Sequence, residues 1–216
     1  RPKFIANEPG NTMQSFLDCS LQKCDRFIIN VAFITRGGLA PLMQTLLDLE
    51  AHNVPGQILT TDYLVFTEPA ALKILMGLKN IKLKMFCCNG SQKGFHTKGY
   101  LFFKDQIVDI TIGSSNLTKN AISENKEWNV SFSSSGDGEV YKHILEDFNS
   151  LWNSEYSHEI NEETLDEYTV LYSENKRLEK EKARVLSESK TVSVEQISLK
   201  PNSMQLAFIN RLNELR

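Results

Sequence analysis

From Phe27 to Thr35 the chain reads FIINVAFIT, almost unbroken in apolar and β-branched residues. That pattern predicts a strand buried on both faces. Ahead of it, Met13, Phe16, Leu17, Leu21 and Cys24 recur at helical spacing behind Asn11-Thr12, whose short polar side chains suit an N-cap. Behind it, Gly37-Gly38 turns into a helix bearing Leu39, Leu42, Met43, Leu46 and Leu47, and Pro55-Gly56 introduces a short strand from Gln57 to Thr61. Thr67-Glu68-Pro69 opens another helix, running to about Leu78, and Ile81 to Phe86 forms the next strand. A β-α-β-α-β alternation of this kind predicts an α/β fold with a mainly parallel sheet covered by helices.

Two further strands, His96 to Phe103 and Gln106 to Ile112, are expected to form a hairpin through Lys104-Asp105, with a sixth from Glu127 to Ser133. Val140, Ile144, Leu145, Phe148, Leu151 and Trp152 then mark an amphipathic helix with Glu139, Lys142, Glu146 and Asp147 opposite. Asn161 to Arg184 is helical in composition but densely charged, which predicts a solvated extension, and Val185 to Lys200 reads as a linker. The expected organisation is a domain over 1–156, a helical extension and linker over 157–200, and a separate segment over 201–216.

Composition narrows the class. The chain has 216 residues, 41% hydrophobic and 24% charged, the balance of a globular domain with its own core. No apolar run is long enough to span a bilayer, and Arg1-Pro2-Lys3-Phe4 is no signal peptide, so a cytoplasmic protein without a membrane partner is expected. A first residue other than Met points to a piece of a longer chain. Cys19, Cys24, Cys87 and Cys88 lack the spacing of a zinc site and read as structural thiols. The net charge of -3 conceals a division: residues 1–130 carry 14 Lys and Arg against 11 Asp and Glu, and residues 131–216 carry 10 against 16. The mildly basic front permits phosphate binding.

Candidate chemistry gathers between Phe95 and Trp128. His96 and Lys98 lie two apart on an expected strand, which would put both side chains on one face and within reach of one phosphate. Gly113-Ser114-Ser115-Asn116 ends the adjoining strand, where a glycine lets backbone approach an anion. Eleven residues after Asn116, Glu127 opens the next strand. A nucleophile, a cation, an amide donor and a carboxylate thus fall at the ends of consecutive strands, where α/β sheets place their ligand sites. Trp128 reads as a core residue, and His52, His143 and His158 as surface or helix residues.

These residues resemble the HxK and GSxN signature of the phospholipase D superfamily, over roughly Phe4 to Ser154, with the Asn-to-Glu spacing of its small endonucleases. The resemblance implies a phospholipase D-like mixed, mainly parallel sheet flanked by helices, with the C-terminal helical extension appended. It implies that His96 attacks phosphorus to form a phosphohistidine, and that Lys98 and Asn116 hold the phosphoryl oxygens. Ser114 would support the loop with Gly113 and Ser115, and Glu127 would hydrogen-bond the imidazole. No metal and no cofactor are implied. The full HxKxxxxD pattern wants Asp at position 103, where this chain has Phe103, with Asp105 and Asp109 nearby. That argues against the lipid-hydrolysing branch.

The chain holds one HxK, and the family pairs two, one His attacking while the other protonates the leaving oxygen. A homodimer sharing one site is therefore expected. Pro201-Asn202-Ser203-Met204-Gln205 resembles the segment preceding the ATPase core of superfamily 2 helicases, so a helicase motor in cis is the expected partner in a longer parent. The substrate class is DNA, with RNA as a variant. A non-catalytic DNA-binding module and a phospholipid phosphodiesterase are the competing readings.

Overall fold

The computed structural model describes residues 1–88 and 95–191, the last four by backbone only. The segment 201–216, with its helicase-like motif, lies outside the described residues. The chain forms two compact units, Arg1–Asn175 and Lys176–Arg216.

The first unit is built on one sheet. Its strands are β1 (Lys3–Ile5), β2 (Arg26–Val31), β3 (Gly56–Thr61), β4 (Ile81–Phe86), β5 (Lys98–Lys104), β6 (Ile107–Gly113), β7 (Asn129–Ser135) and β8 (Ser157–Glu159). They lie in the order β1-β7-β6-β5-β2-β3-β4-β8. Only β2–β3 and β3–β4 pair in parallel, and the other pairs are antiparallel. The sheet is therefore mixed, and the expectation of a mainly parallel one is corrected. The β-α-β crossovers stop at β4, after which β5 returns beside β2, a two-residue turn lays β6 against it, and β7 follows antiparallel after the loop of residues 114–128. β1 and β8, three residues each, are too short for a period-2 pattern and escaped sequence reading.

Helices cover both faces. On one lie α1 (Met13–Leu21), α2 (Arg36–Leu39), α3 (Met43–Ala51) and α4 (Pro69–Met76). α1 is capped by Thr12, whose Oγ1 accepts from the Ser15 N–H at 3.1 Å. The helix expected after Gly37-Gly38 is broken, because Pro41 has no N–H to continue an α-helical ladder and the chain passes through a 3-10 turn at Ala40–Leu42. Met13, Leu17, Leu21, Leu39, Leu42, Leu72 and Leu75 meet Phe27, Ile29, Val31 and Ile58 in the larger core. On the other face α5 (Glu139–Trp152) packs Tyr141, Phe148 and Trp152 on Ile28, Leu59, Leu101, Val108 and Ile110.

The first unit runs past the boundary expected at 156. β8 pairs with β4, and Leu165 and Tyr168 of α6 (Glu162–Thr191) are buried in the larger core, Tyr168 donating its hydroxyl to the Thr67 carbonyl at 2.8 Å. Helix α6 also continues to Thr191, through residues read as linker. Its described residues from Arg177 to Ser187 are exposed, as the charge density of the stretch requires. Cys24 is buried, Cys87 and Cys88 are half-buried, Cys19 is exposed, and all four thiols are free.

Candidate active site

The strand expected from Phe27 to Thr35 leaves the sheet at Val31, and its last residues do other work. Phe33 donates its N–H to Asn116 Oδ1 at 3.1 Å and accepts from the Leu117 N–H at 3.1 Å, while Thr35 donates to the Leu117 carbonyl at 3.0 Å. The end of one buried strand thereby becomes a splint for the GSSN loop. Gly38 lies against the same splint, since a Cβ there would stand 2.1 Å from the Leu117 carbonyl oxygen.

The loop is anchored from beneath by a network that sequence reading did not find. Ser115 is fully buried; its N–H donates to Asn129 Oδ1 at 3.2 Å, its hydroxyl donates to the Ala121 carbonyl at 3.0 Å, and Asn129 Nδ2 donates to its Oγ at 2.8 Å. Tyr100, on β5, donates its hydroxyl to the Ser115 carbonyl at 2.9 Å. Every polar atom of a buried serine and asparagine needs such partners, because an unpaired one costs about 1–3 kcal/mol. The signal available in sequence was Asn129 at an inward-facing position of β7.

Gly113 has a different reason from the one expected. A Cβ there would meet the Trp128 carbonyl oxygen at 2.3 Å and Asn129 Oδ1 at 2.4 Å, so glycine is required by the closeness of β7. Its neighbour Ser114 accepts from the Trp128 N–H at 3.0 Å and donates its hydroxyl to the Glu127 carboxylate.

The register Val31 opposite Lys98, Gly99 opposite Ile112, and Gly113 opposite Asn129 aligns these groups along one edge of the sheet. His96 and Glu127 each lie two residues ahead of the strand they were expected to occupy, β5 and β7. The alternation argument for His96 and Lys98 sharing a face therefore does not apply, yet the two still meet. Lys98 Nζ lies 2.6 Å from His96 Nδ1 and 2.5 Å from the His96 carbonyl oxygen. An ammonium has only donors, so Nδ1 accepts and the neutral ring carries its proton on Nε2. Phe33 sets its ring edge against the imidazole at 5.7 Å.

Glu127 is the second correction. Its described hydrogen-bond partner is Ser114 rather than the imidazole of its own chain, because that hydroxyl stands between the loop and β7 and takes the carboxylate. Trp128 is the third. It is 71% exposed and rests only its edge on Phe4, at 5.9 Å, so it is no core residue.

The field of the site shifts its two bases in the same direction. Burial first, then the Lys98 charge, hold the His96 imidazole below its ordinary range, which keeps the ring neutral near pH 7. Lys98 is 7% exposed, and burial pushes its ammonium down to about 8 against the opposing attraction of Glu127. The site therefore offers a neutral imidazole, a cation poorly solvated in the absence of an anion, and an oriented amide. Asn116 spends Oδ1 on Phe33, which leaves its NH2 as a pair of donors. Such a set fits an anion with several equivalent oxygens, bound through hydrogen bonds and attacked by a ring nitrogen. Among the described residues no three His, Cys, Asp or Glu side chains converge as a metal site would need. Phe103, at the missing Asp position, lies at the far end of β5, under the Arg26 guanidinium at 3.7 Å and edge-on to Tyr141 at 6.1 Å, so it serves packing.

The same architecture occurs in solved proteins. NucT from Helicobacter pylori is 16% identical, with 74% of this chain covering 99% of that one and a TM-score of 0.56. Nuc from Salmonella typhimurium, a phospholipase D family member, is 16% identical over 74% of this chain and 99% of its own, with a TM-score of 0.54. Phosphatidylserine synthase from Haemophilus influenzae is 13% identical, matching 88% of this chain to 46% of its own, with a TM-score of 0.55. At these identities the likeness is one of fold. No curated protein matches in sequence. The family model described as "Cardiolipin synthase, PLD-like domain" matches residues 21–152, a span that contains His96, Lys98, Asn116 and Glu127. The chain belongs to that phospholipase D-like family, which includes phosphodiesterases.

Proposed function

We propose that this domain is a metal-independent DNA endonuclease working through a phosphohistidine in a homodimeric site, and that a helicase motor follows it in the parent protein. The observation that carries the reading is the 2.6 Å approach of Lys98 Nζ to His96 Nδ1, which pairs a neutral nucleophile with a cation held short of solvent. A phosphodiester entering the site gives that cation an oxygen to neutralise and draws it off the ring. His96 nitrogen then bonds to phosphorus as the phosphorus–oxygen bond to the leaving strand breaks. The departing oxygen takes its proton from a second His96, contributed by the partner subunit and protonated at the outset, so that the pair enters the reaction with one neutral and one charged ring. Water next attacks phosphorus, the nitrogen–phosphorus bond breaks, and the second imidazole recovers the proton from the water. Lys98 and the Asn116 amide hold the phosphoryl oxygens throughout and supply the charge stabilisation of the transition state.

DNA is favoured over lipid because Phe103 replaces the Asp of the full motif; in fold, the chain aligns with 99% of NucT and of Nuc and 46% of the synthase. No described helix is long and apolar enough to cross a membrane. The test is cleavage of single- and double-stranded DNA in EDTA by the wild type and His96→Ala. Cleavage that survives EDTA and drops at least about 1,000-fold in the variant is expected for loss of a covalent nucleophile. Equal rates would overturn the assignment, cleavage that requires a divalent ion would overturn the mechanism, and DNA binding without cleavage would favour the non-catalytic DNA-binding module.

A further inference from the structure

Between β3 and α4 the chain turns through Tyr63–Val65 with its backbone in an unfavourable conformation, Leu64 having φ at 57° and Val65 at 52°. A β-branched residue such as Val65 is a genuine outlier there, and two large residues in succession at positive φ persist only where the surroundings impose them. Both ends of the turn are pinned. Asp62 accepts from the Cys88 N–H at 2.7 Å through its carboxylate and from the Val65 N–H at 2.8 Å through its carbonyl, and the buried Thr67 hydroxyl donates to the Ala32 carbonyl at 3.3 Å. Val65 is thereby packed against the larger core, whereas Tyr63, Leu64 and Phe66 are 38%, 63% and 47% exposed. A cluster of large apolar side chains kept in water on a strained turn marks a binding surface.

Its position indicates the ligand. β3 runs parallel to β2, whose end at Val31 faces Lys98, so the turn stands on the edge of the sheet that carries the site. Phe66 lies 5.0 Å from Phe33, and Phe33 lies 5.7 Å from the His96 imidazole. An aromatic file therefore runs from the nucleophile out to the turn, and its inner ring is fixed by the bond from the Phe33 N–H to Asn116. A molecule anchored by a phosphodiester at His96 lays its next groups along this file. In a nucleic acid those groups are a sugar and a flat base, and every base has a π-face that stacks on aromatic side chains.

We propose that Tyr63 and Phe66 form a stacking platform for an unpaired base of the strand whose phosphate sits at His96. The inference rests on the phosphodiesterase reading of that site and adds the groups that select its substrate. Pinning the turn at Asp62 and Thr67 holds the rings out before the strand arrives, so little order is lost on binding. Stacking reads no hydrogen-bond pattern. The platform therefore favours bases over bare backbone and unpaired strands over duplex, whose bases already stack on one another, without choosing among sequences.

The experiment measures binding by fluorescence anisotropy on the full chain carrying His96→Ala, which holds a strand without turning it over. The probes are a single-stranded DNA, a strand of the same length built from base-free tetrahydrofuran nucleotides, and the matching duplex. The base-bearing single strand is expected to bind about 100-fold more tightly than the base-free one, about 10-fold for each ring, and more tightly than the duplex. Adding Tyr63→Ala or Phe66→Ala should narrow that gap by about 10-fold, whereas Tyr63→Phe and Phe66→Tyr, which keep a ring, should preserve it. Circular dichroism confirms that each variant is folded. Equal affinity for the three probes, a gap untouched by either alanine, or equal losses on the base-bearing and base-free strands would each overturn the platform. So would a change in sedimentation, or in binding to phosphatidylglycerol vesicles, in place of the lost base preference, since these assign the turn to a protein or a lipid surface. Cleavage by the chain with His96 intact separates the two levels. A base preference that responds to the rings with no cleavage supports the platform and refutes the enzymatic reading, whereas cleavage of both strands at equal rates, by wild type and both alanine variants, keeps that reading and refutes the platform.

Discussion

Strand β5 carries a lysine at each end, and the two have opposite fates. Lys104, in the turn toward β6, is more than half exposed and holds Asp25 at 2.9 Å, which raises its affinity for the proton through hydrogen bond and charge alike. Lys98, at the other end, is buried without a carboxylate in contact, and its proton is held less tightly than that of any ordinary lysine. Identical chemistry on one strand thus yields an inert surface cation and a reactive one. What differs is whether the fold supplies the counter-charge or leaves it to be brought by a ligand.

The comparison breaks most visibly in activity. Lys98→Met should abolish phosphodiester cleavage by about 100- to 1,000-fold, the usual loss when one charged stabiliser of a transition state is removed, as single-turnover kinetics would measure. Lys104→Met should leave the rate unchanged. A pH profile sharpens the contrast. Because the free site needs one neutral and one protonated His96 as well as a charged Lys98, kcat/KM should be bell-shaped, rising through an imidazole pKa below the ordinary 6.5 and falling as the second imidazole loses its proton, with a further drop as pH passes about 8. A further drop placed near pH 10.5 would show that Lys98 is solvated like Lys104.

Stability should respond in the unexpected direction. The folded state holds the Lys98 proton less firmly than the unfolded chain, so charged Lys98 destabilises the fold at neutral pH, and stability recovers between pH 8 and the unfolded value of about 10.4. Lys98→Met should accordingly raise the free energy of unfolding at pH 7 by about 1–2 kcal/mol, seen as a higher denaturant midpoint. The smallest effect is expected at Lys104→Met, with no resolvable change in midpoint, since an exposed ion pair contributes little.

Periodicity carried the fold as far as single elements could. FIINVAFIT announced β2, and the spacing from Val140 to Trp152 announced α5, because each buries a face that its own pattern defines. The hairpin of β5 and β6 was legible in its two-residue turn, whereas the directions of β5 beside β2 and of β7 beside β6 were less so, being set by how the connections return the chain rather than by any residue within the strands. For the site, motif spacing named His96, Lys98, Asn116 and Glu127, and the fold brings them to one edge of the sheet. What held them there was hidden. Phe33 acts through its backbone, which no side-chain pattern reports, and Asn129 meets Ser115 across fourteen residues of sequence. Exposure of Trp128 was misread for a related reason: an aromatic next to a strand reads as core unless the sheet is known to lack a cover on that side.

Asn7 shows how far the support of the loop extends. With φ at 53°, a conformation that asparagine tolerates better than most residues, it caps α1 by accepting from the Met13 N–H at 2.8 Å while its amide donates to the carbonyls of Ala121 and Asn125, each at 2.8 Å. One side chain near the start of the polypeptide therefore staples the opening turn of the first helix to the segment just downstream of Asn116. Shortening or crowding the amino-terminal arm would be felt as a slackened GSSN loop more than a hundred positions away, so an affinity tag belongs elsewhere.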